Sequence, residues 1–254
     1  MPRSVGLKSL AMTALSIAYA ALFYLATLIL VVGTVLKIRL YAQTPAPLKI
    51  PTTPAPTTRG GVALRLTREV VFFESLFKAN KWTWLFGWLF HAALLLVLLR
   101  HLRYFQEPVW LPIVLVQPLG TYAGYVMLIG LAGLWARRWL VDRVRYISTP
   151  SDHLHLLLLL AIGATGLAMR FVVPTDIVAI KVFMLGLMRF NVQPLPSDPL
   201  LLLHLALVAL LMVIFPISKL MHAPGLFFSP GRNQTDNTRE ARHIAAWAAA
   251  LDKK

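Results

Sequence analysis

Five long apolar runs constrain this chain more than any other feature of its sequence. They cover residues 10–36, 84–105, 110–135, 154–173 and 199–221. A helix needs about 20 mostly apolar residues to cross the ~30 Å hydrocarbon core of a bilayer, and each run has that length. The first run has no charged residue inside it and is longer than the apolar core of a secretory signal, so we expect it to be retained. The sequence therefore predicts an all-α bundle of five transmembrane helices.

The composition agrees with a membrane protein. Of the 254 residues, 58% are hydrophobic and only 14% are charged, with a mean hydropathy of +0.69. The net charge of +15 fits basic loops beside anionic lipid headgroups, and we expect no nucleic-acid partner. The predicted location is the bacterial cytoplasmic (inner) membrane, with the lipid bilayer itself as a partner. Because the chain has no cysteine, it has no disulfide, no covalently attached c-type haem and no iron–sulfur cluster held by its own cysteines.

The distribution of lysine and arginine predicts how the chain is oriented. If the N-terminus is outside, eighteen of the 25 basic residues fall on the inner side. The positive-inside rule then favours an outer N-terminus and a cytoplasmic C-terminus. The proline-rich segment 41–66 becomes a cytoplasmic loop, followed by a short surface helix over 67–80, and segment 177–190 is predicted to lie at the interface. We expect residues 1–230 to form the transmembrane domain and 231–254 to form a cytoplasmic tail that docks a partner.

Four of the seven histidines lie within or at the ends of two apolar runs, His91 and His101 on the second and His204 and His222 on the fifth. Ionisable residues are costly in a membrane, so each is a functional candidate. The first pair is separated by ~15 Å of helix rise, and the second by five whole turns if Pro216 does not bend the helix. The two spans run antiparallel, which places His101 level with His204 and His91 level with His222. Facing imidazoles at two levels match the axial ligands of two b-type haems.

Other polar residues near these histidines have two interpretations. Four cations either contact haem propionates or extend to the lipid headgroups: Arg100, Arg103, Arg170 and Lys219. His153 and His155 follow a Thr-Pro-Ser-Asp helix start, where a structural contact, a propionate contact and proton transfer all stay open. The histidines as a group also fit a proton or ion transporter without haem. A purely structural membrane anchor is a third class, but it has no reason to place histidines in level pairs.

The His-x9-His pair on the second span and the His-x17-His pair on the last span resemble the gamma (cytochrome b) subunit of respiratory nitrate reductase. This resemblance implies that His101 and His204 bind the iron of an outer haem, and that His91 and His222 bind the iron of an inner one. It also implies quinol oxidation near the outer haem, where His101, Gln117 and Tyr122 are the candidate quinone contacts. The third span has no lysine to match that family's quinone-site lysine.

Four loop segments, 49–59, 73–77, 81–84 and 145–153, are similar to the DsrM family, the membrane cytochromes of the Dsr complexes of sulfur-metabolising bacteria. The resemblance implies a cytoplasmic iron–sulfur partner similar to DsrK, which acts on the sulfur carrier DsrC, together with the other Dsr subunits. The implied function is electron transfer between the quinone pool and this partner in dissimilatory sulfur metabolism (sulfite reduction or sulfur oxidation). No catalytic residue and no complete turnover are expected of this chain alone. The alternative is a gamma subunit of a nitrate-reductase-type quinol oxidoreductase.

Overall fold

The computed structural model describes residues 3–44 and 51–237, with side chains from residue 14 onward, and all regular structure in this part of the chain is helical. The α-helices, in chain order, are α1 (Arg3–Gln43), α2 (Arg59–Phe72), α3 (Glu74–Ala79), α4 (Lys81–His101), α5 (Leu111–Leu140), α6 (Asp142–Ile147), α7 (Pro150–Phe171), α8 (Ile177–Met188), α9 (Pro199–Ile214), α10 (His222–Gly225) and α11 (Pro230–Asn233).

Five helices in the described residues are long and apolar enough to cross a membrane. The spans are Ala14–Gln43, Lys81–Tyr104, Leu111–Leu140, Pro150–Phe171 and Pro199–Ile217. Each overlaps one of the five apolar runs, so the prediction of an all-α protein with five transmembrane helices is confirmed. The orientation of the two termini stays a prediction.

The chain divides into two compact units. The first contains residues 1–28 and 80–213, and the second contains 29–79 and 214–254. Three of the predicted haem ligands belong to the first unit and His222 belongs to the second. The predicted tail lies in the second unit, and its residues 238–254 lie outside the described part of the chain.

In the first unit, α5 packs against both α4 and α7. A glycine on α5 lets α4 approach closely, because a Cβ added at Gly130 would lie 2.8 Å from the backbone nitrogen of Phe90. One turn earlier on α4, the ring of Phe86 packs against α5 and occupies the space that a side chain at Gly133 would need. Five buried residues form the core between these helices: Phe90, Ala93, Ala123, Met127 and Leu131.

A second core of the same unit surrounds the short helix α8. Its buried members are Ala20, Ile180, Phe183, Met184, Leu187, Leu195, Leu201 and Leu205. The hydroxyl of Tyr19 donates to the carbonyl of Leu202 (3.0 Å) and that of Tyr24 to the carbonyl of Leu187 (2.9 Å), which ties α1 to α9 and α8. The prediction of a short apolar segment over 177–190 is confirmed as a 12-residue helix, while its place at the interface stays a prediction.

The fifth span differs from the prediction of one regular helix over 199–221. The α-helix ends at Ile214, and 3₁₀ turns follow over Phe215–Ile217 and Lys219–Met221. Pro216 has no N–H for the helix ladder, and Ser218 is extended with ψ 171°. His222 therefore begins a separate short helix. The sequence spacing placed His204 and His222 on one face only if Pro216 did not bend the helix, and the structure does not meet that condition.

In the second unit, the proline-rich loop is shorter than predicted, and the surface helix begins earlier and is divided in two. Helix α1 continues to Gln43, and α2 already begins at Arg59 because the Thr58 hydroxyl accepts from the Gly61 N–H (3.1 Å) and caps it. The helix predicted over 67–80 is broken at Phe73, which is left-handed with φ 52°. The physical reason is Glu69, whose carboxylate accepts from the backbone N–H of Ser75 (3.2 Å), one residue into α3.

The first residues of the predicted tail pack within the second unit. Arg232 on α11 forms an ion pair with Glu69 and also donates to the hydroxyl of Ser75. The backbone N–H of Asp236 donates to the carbonyl of Pro56 (2.9 Å). Residues 231–237 therefore cover the proline-rich loop and α2. The domain boundary at 230/231 stays a prediction.

Candidate functional site

The predicted outer ligands come from two helices of the first unit. His101 is the last residue of α4, and His204 is buried in the second turn of α9. Tyr104, three residues after His101, packs against the core that contains Leu201 and Leu205 on either side of His204. His101 and His204 both belong to the first unit, and their pairing at one haem stays a prediction.

Three of the predicted ligands use the same hydrogen bond. The Nδ1 atom of His91 lies 2.7 Å from the carbonyl oxygen of Gly87. The Nδ1 atom of His101 lies 2.7 Å from the carbonyl oxygen of Val97, and that of His222 lies 3.0 Å from the carbonyl oxygen of Lys219. A carbonyl oxygen only accepts, so Nδ1 carries the proton in each ring. The lone pair of each neutral imidazole is therefore on Nε2.

His204 also carries its proton on Nδ1, but the oxygen at that atom belongs to a side chain. Its Nδ1 lies 2.9 Å from the hydroxyl oxygen of Thr165 on α7. That hydroxyl already donates to the carbonyls of Ala161 (2.8 Å) and Ile162 (3.0 Å). Because a hydroxyl has one hydrogen, its oxygen accepts from His204, and Nδ1 is again the donor. All four predicted ligands therefore present an Nε2 lone pair, which is the donor that haem iron requires.

The two remaining membrane-end histidines differ from each other. The indole N–H of Trp135 donates to Nδ1 of His153 (3.1 Å), so neutral His153 carries its proton on Nε2. His155 donates from Nδ1 to the carbonyl of Ser151 (2.5 Å), as the predicted ligands do. The predicted helix start before them is confirmed, since Thr149 and Asp152 form a capping box at the first turn of α7.

The predicted propionate and quinone residues form a polar cluster between α4 and α5. Arg100 donates to the carbonyl of Gln117 (2.7 Å) and to the hydroxyl of Thr121. Arg103 donates to the side-chain oxygen of Gln117 (3.1 Å), and the Gln117 amide donates to the carbonyl of Ile113 (3.1 Å). The cluster lies directly beside His101, the last residue of α4.

The other predicted contacts lie apart from this cluster. Tyr122 is 65% exposed, and its ring is 6.5 Å from that of Phe171. Five residues on a helix turn ~140°, so Tyr122 and Gln117 face different sides of α5. The guanidinium of Arg170 also lies over Phe171, at 5.9 Å. Lys219 lies in the 3₁₀ turn before His222 and supplies the carbonyl that His222 uses.

Sequence reasoning missed Thr165, the side chain that holds His204. A signal was available, because Thr165 is a hydroxyl-bearing residue in an apolar run and stands next to Gly166 in Gly-Ala-Thr-Gly. A Cβ added at Gly166 would lie 3.4 Å from Cε1 of His204. The facing position on α9 could not be read from the sequence, because it depends on how α7 and α9 pack.

Comparison with known proteins shows the family of the chain. Residues 75–232 match the family model described as nitrate reductase gamma subunit. The chain is 37% identical to the Hdr-like menaquinol oxidoreductase cytochrome b-like subunit of Archaeoglobus fulgidus, over 89% of this chain and 82% of the relative. It is 34% identical to the protein of the same description from Archaeoglobus profundus, over 90% of this chain and 82% of the relative. The chain therefore belongs to the nitrate reductase gamma subunit family.

Proposed function

We propose that this protein is the membrane cytochrome b subunit of a quinol oxidoreductase complex and holds two b-type haems. The observation that carries the proposal is the hydrogen bonding of the four histidines. Each Nδ1 donates to an oxygen, three to backbone carbonyls and one to Thr165. Such a bond fixes the tautomer and orientation of a metal-binding imidazole and raises its basicity. His153, whose Nδ1 accepts a hydrogen bond, does not fit this role.

In this proposal His101 and His204 hold the outer haem, and His91 and His222 hold the inner haem. The placement of His101 and His204 in the same unit and of Tyr104 against the α9 core supports the first pair. The second pair rests on the sequence spacing and on the matching Nδ1 bonds. Bound haem supplies reversible one-electron transfer, and the protein contributes axial ligands, orientation and an apolar surrounding.

Basic residues near the histidines would hold the haem propionates. A guanidinium has five N–H donors in a fork that suits carboxylates. Arg100 and Arg103 are held beside His101 by their bonds to Gln117, so we assign them to the outer haem, with Arg170 as a further candidate. Lys219, three residues before His222, is the corresponding candidate for the inner haem.

The proposed electron donor is a quinol, and we infer menaquinol from the names of the two relatives. Its site would lie beside His101, where the side-chain oxygen of Gln117 accepts from Arg103 and has a second lone pair for a quinol hydroxyl. Tyr122 is the weaker member of the predicted set, because it faces Phe171 and not the Gln117 cluster.

The proposed acceptor is an iron–sulfur subunit on the cytoplasmic side, similar to DsrK, in a complex of dissimilatory sulfur metabolism. Similarity of the loop segments to the DsrM family supports this finer assignment. The cysteine-free sequence supports a division of labour in which clusters belong to a partner. The proposed docking region is the tail, whose residues 231–237 are anchored on the second unit.

One measurement tests the haem proposal directly. Oxidised and dithionite-reduced spectra of purified protein should show the Soret and α bands of low-spin b haem. A pyridine haemochrome assay against protein concentration should give about two haems per chain, because four histidines saturate the axial positions of two irons. A ratio near zero would refute the redox function and favour the transporter alternative. A ratio near one would refute the double-pair assignment.

A further inference from the structure

One arrangement of hydrogens satisfies all three contacts of the Thr165 hydroxyl, those with Ala161, Ile162 and His204. The Thr165 hydroxyl hydrogen points back along α7, where the carbonyls of Ala161 and Ile162 share it. Its oxygen can then only accept from the Nδ1–H of His204. A helix other than the one that carries His204 therefore decides which of its ring nitrogens keeps the lone pair.

The residue after Thr165 makes room for the same ring. The atoms nearest to a Cβ added at Gly166 would be Cε1 of His204 at 3.4 Å and Nδ1 at 3.9 Å. Both distances are ordinary van der Waals contacts, so alanine would fit here and only a side chain larger than alanine would crowd the imidazole. Thr165 accepts a hydrogen bond from the ring of His204, and Gly166 places no side chain beside that ring.

We propose that Thr165 is a positioning residue that orients His204 through its hydroxyl and sets the reduction potential of the haem that His204 binds. This inference rests on the proposed haem function. A hydrogen bond to Nδ1–H raises the basicity of the imidazole, and a more basic ligand favours ferric over ferrous iron. Loss of the hydroxyl should therefore raise the midpoint potential of that haem and leave the other unchanged.

The test compares two substitutions at this position. Thr165→Val keeps the shape of the side chain and removes the acceptor, whereas Thr165→Ser keeps the acceptor. The matched control is Thr67→Val, which removes a hydroxyl that bonds to the carbonyl four residues earlier on α2 (3.0 Å) but contacts no histidine. Potentiometric titration and low-temperature electron paramagnetic resonance of each purified variant report the potential and the axial ligand field of each haem.

We expect Thr165→Val to shift one potential upward and to change one low-spin signal, with Thr165→Ser and Thr67→Val close to wild type. Selective loss of one haem in Thr165→Val would also support the proposal, since orienting partners commonly contribute roughly 10–100-fold to metal affinity. Unchanged potentials and signals in Thr165→Val would overturn it, as would equal haem loss in the Val and Ser variants. Absence of haem from the wild-type protein would instead refute the proposed function.

Discussion

At the scale of single residues, the histidines are distinguished by which ring atom accepts or donates. Trp135 turns His153 into an acceptor at Nδ1, whereas the carbonyl of Val97 makes Nδ1 of His101 a donor. Both residues are histidines at the ends of membrane helices, and their sequence contexts look alike. Only the partner atom shows that the lone pair of neutral His101 is on Nε2, as iron binding would require, and that the Nε2 atom of neutral His153 carries a proton.

The first residue-scale prediction concerns the pairing of ligands. We expect His101→Ala and His204→Ala to remove the same haem, because both residues lie in the first unit and Tyr104, three residues after His101, packs against the core that contains Leu205 of α9. His91→Ala and His222→Ala should both remove the other haem. The measurement is redox titration of the remaining haem in each variant.

A control for this series is His153→Gln, which changes a membrane-end histidine whose Nδ1 accepts from Trp135. It should retain both haems. The pairing would be disproved if the His101 and His222 variants lost the same haem.

The sequence predicted this site in part, and the limit is physical. Spacing along one helix fixes the relative heights of His91 and His101 through the rise per residue. It does not give the partner of His204, because Thr165 comes from a helix that is 39 residues away along the chain. Nor does it give the rotamer that ties Arg100 to Gln117, since that depends on the packing of α4 on α5.

At the scale of secondary-structure elements, the contact between α4 and α5 determines where His91 stands. Gly130 on α5 faces the backbone of α4 at Phe86 and Phe90, and Phe90 directly precedes His91. Backbone atoms cannot move aside as the end of a flexible side chain can. The position of His91, the proposed ligand of the inner haem, therefore depends on the absence of a side chain at Gly130 of the neighbouring helix.

The element-scale prediction is a pair of glycine substitutions. Gly130→Ala places a Cβ 2.8 Å from the Phe90 nitrogen and 2.9 Å from the Phe86 carbonyl oxygen. Separation of the helices should cost about 1–3 kcal/mol and reduce occupancy of the haem bound by His91. Gly60→Ala, which meets no atom within 4 Å, should be neutral or slightly stabilising. Thermal unfolding in detergent and haem content measure both effects, and equal stability of the two variants would contradict the predicted close contact.

Elements were predicted well where apolar runs are long and less well where tertiary contacts interrupt a helix. The five membrane helices follow from hydropathy alone, because every apolar side chain on them is stabilised by transfer into the lipid. The break at Phe73 depends on Glu69, which binds Ser75 and Arg232 instead of stabilising a continuous helix. Within α3, Lys78 donates a hydrogen bond to Glu74, four residues earlier, and this bond lowers the pKa of Glu74.

At the scale of the whole molecule, the predicted orientation decides on which side each reaction occurs. Eighteen of the 25 basic residues lie in the segments assigned to the cytoplasm. The same orientation puts the His101 site towards the outer face and the docking tail inside. Protons from quinol oxidation would then be released on the side opposite to the iron–sulfur partner.

The whole-molecule prediction uses the absence of native cysteine, which gives a labelling experiment no background. Asn191→Cys lies in the exposed segment between α8 and α9, which the orientation places outside. Tyr146→Cys replaces a side chain that is 91% exposed and assigned to the inside. A membrane-impermeant maleimide on intact cells should label the first variant only, and permeabilised cells should label both. The reverse pattern in intact cells would invert the topology.

The acceptors of the four histidine bonds differ in whether mutation can alter them. His91, His101 and His222 donate to backbone carbonyls, which every amino acid provides. His204 contacts the hydroxyl of a side chain, that of Thr165. A point mutation at Thr165 can therefore remove this hydrogen bond, whereas a substitution leaves a backbone carbonyl acceptor in place. Point mutations can therefore adjust the proposed haem at His204 through Thr165. The backbone acceptors of His91 and His222 are not open to the same adjustment.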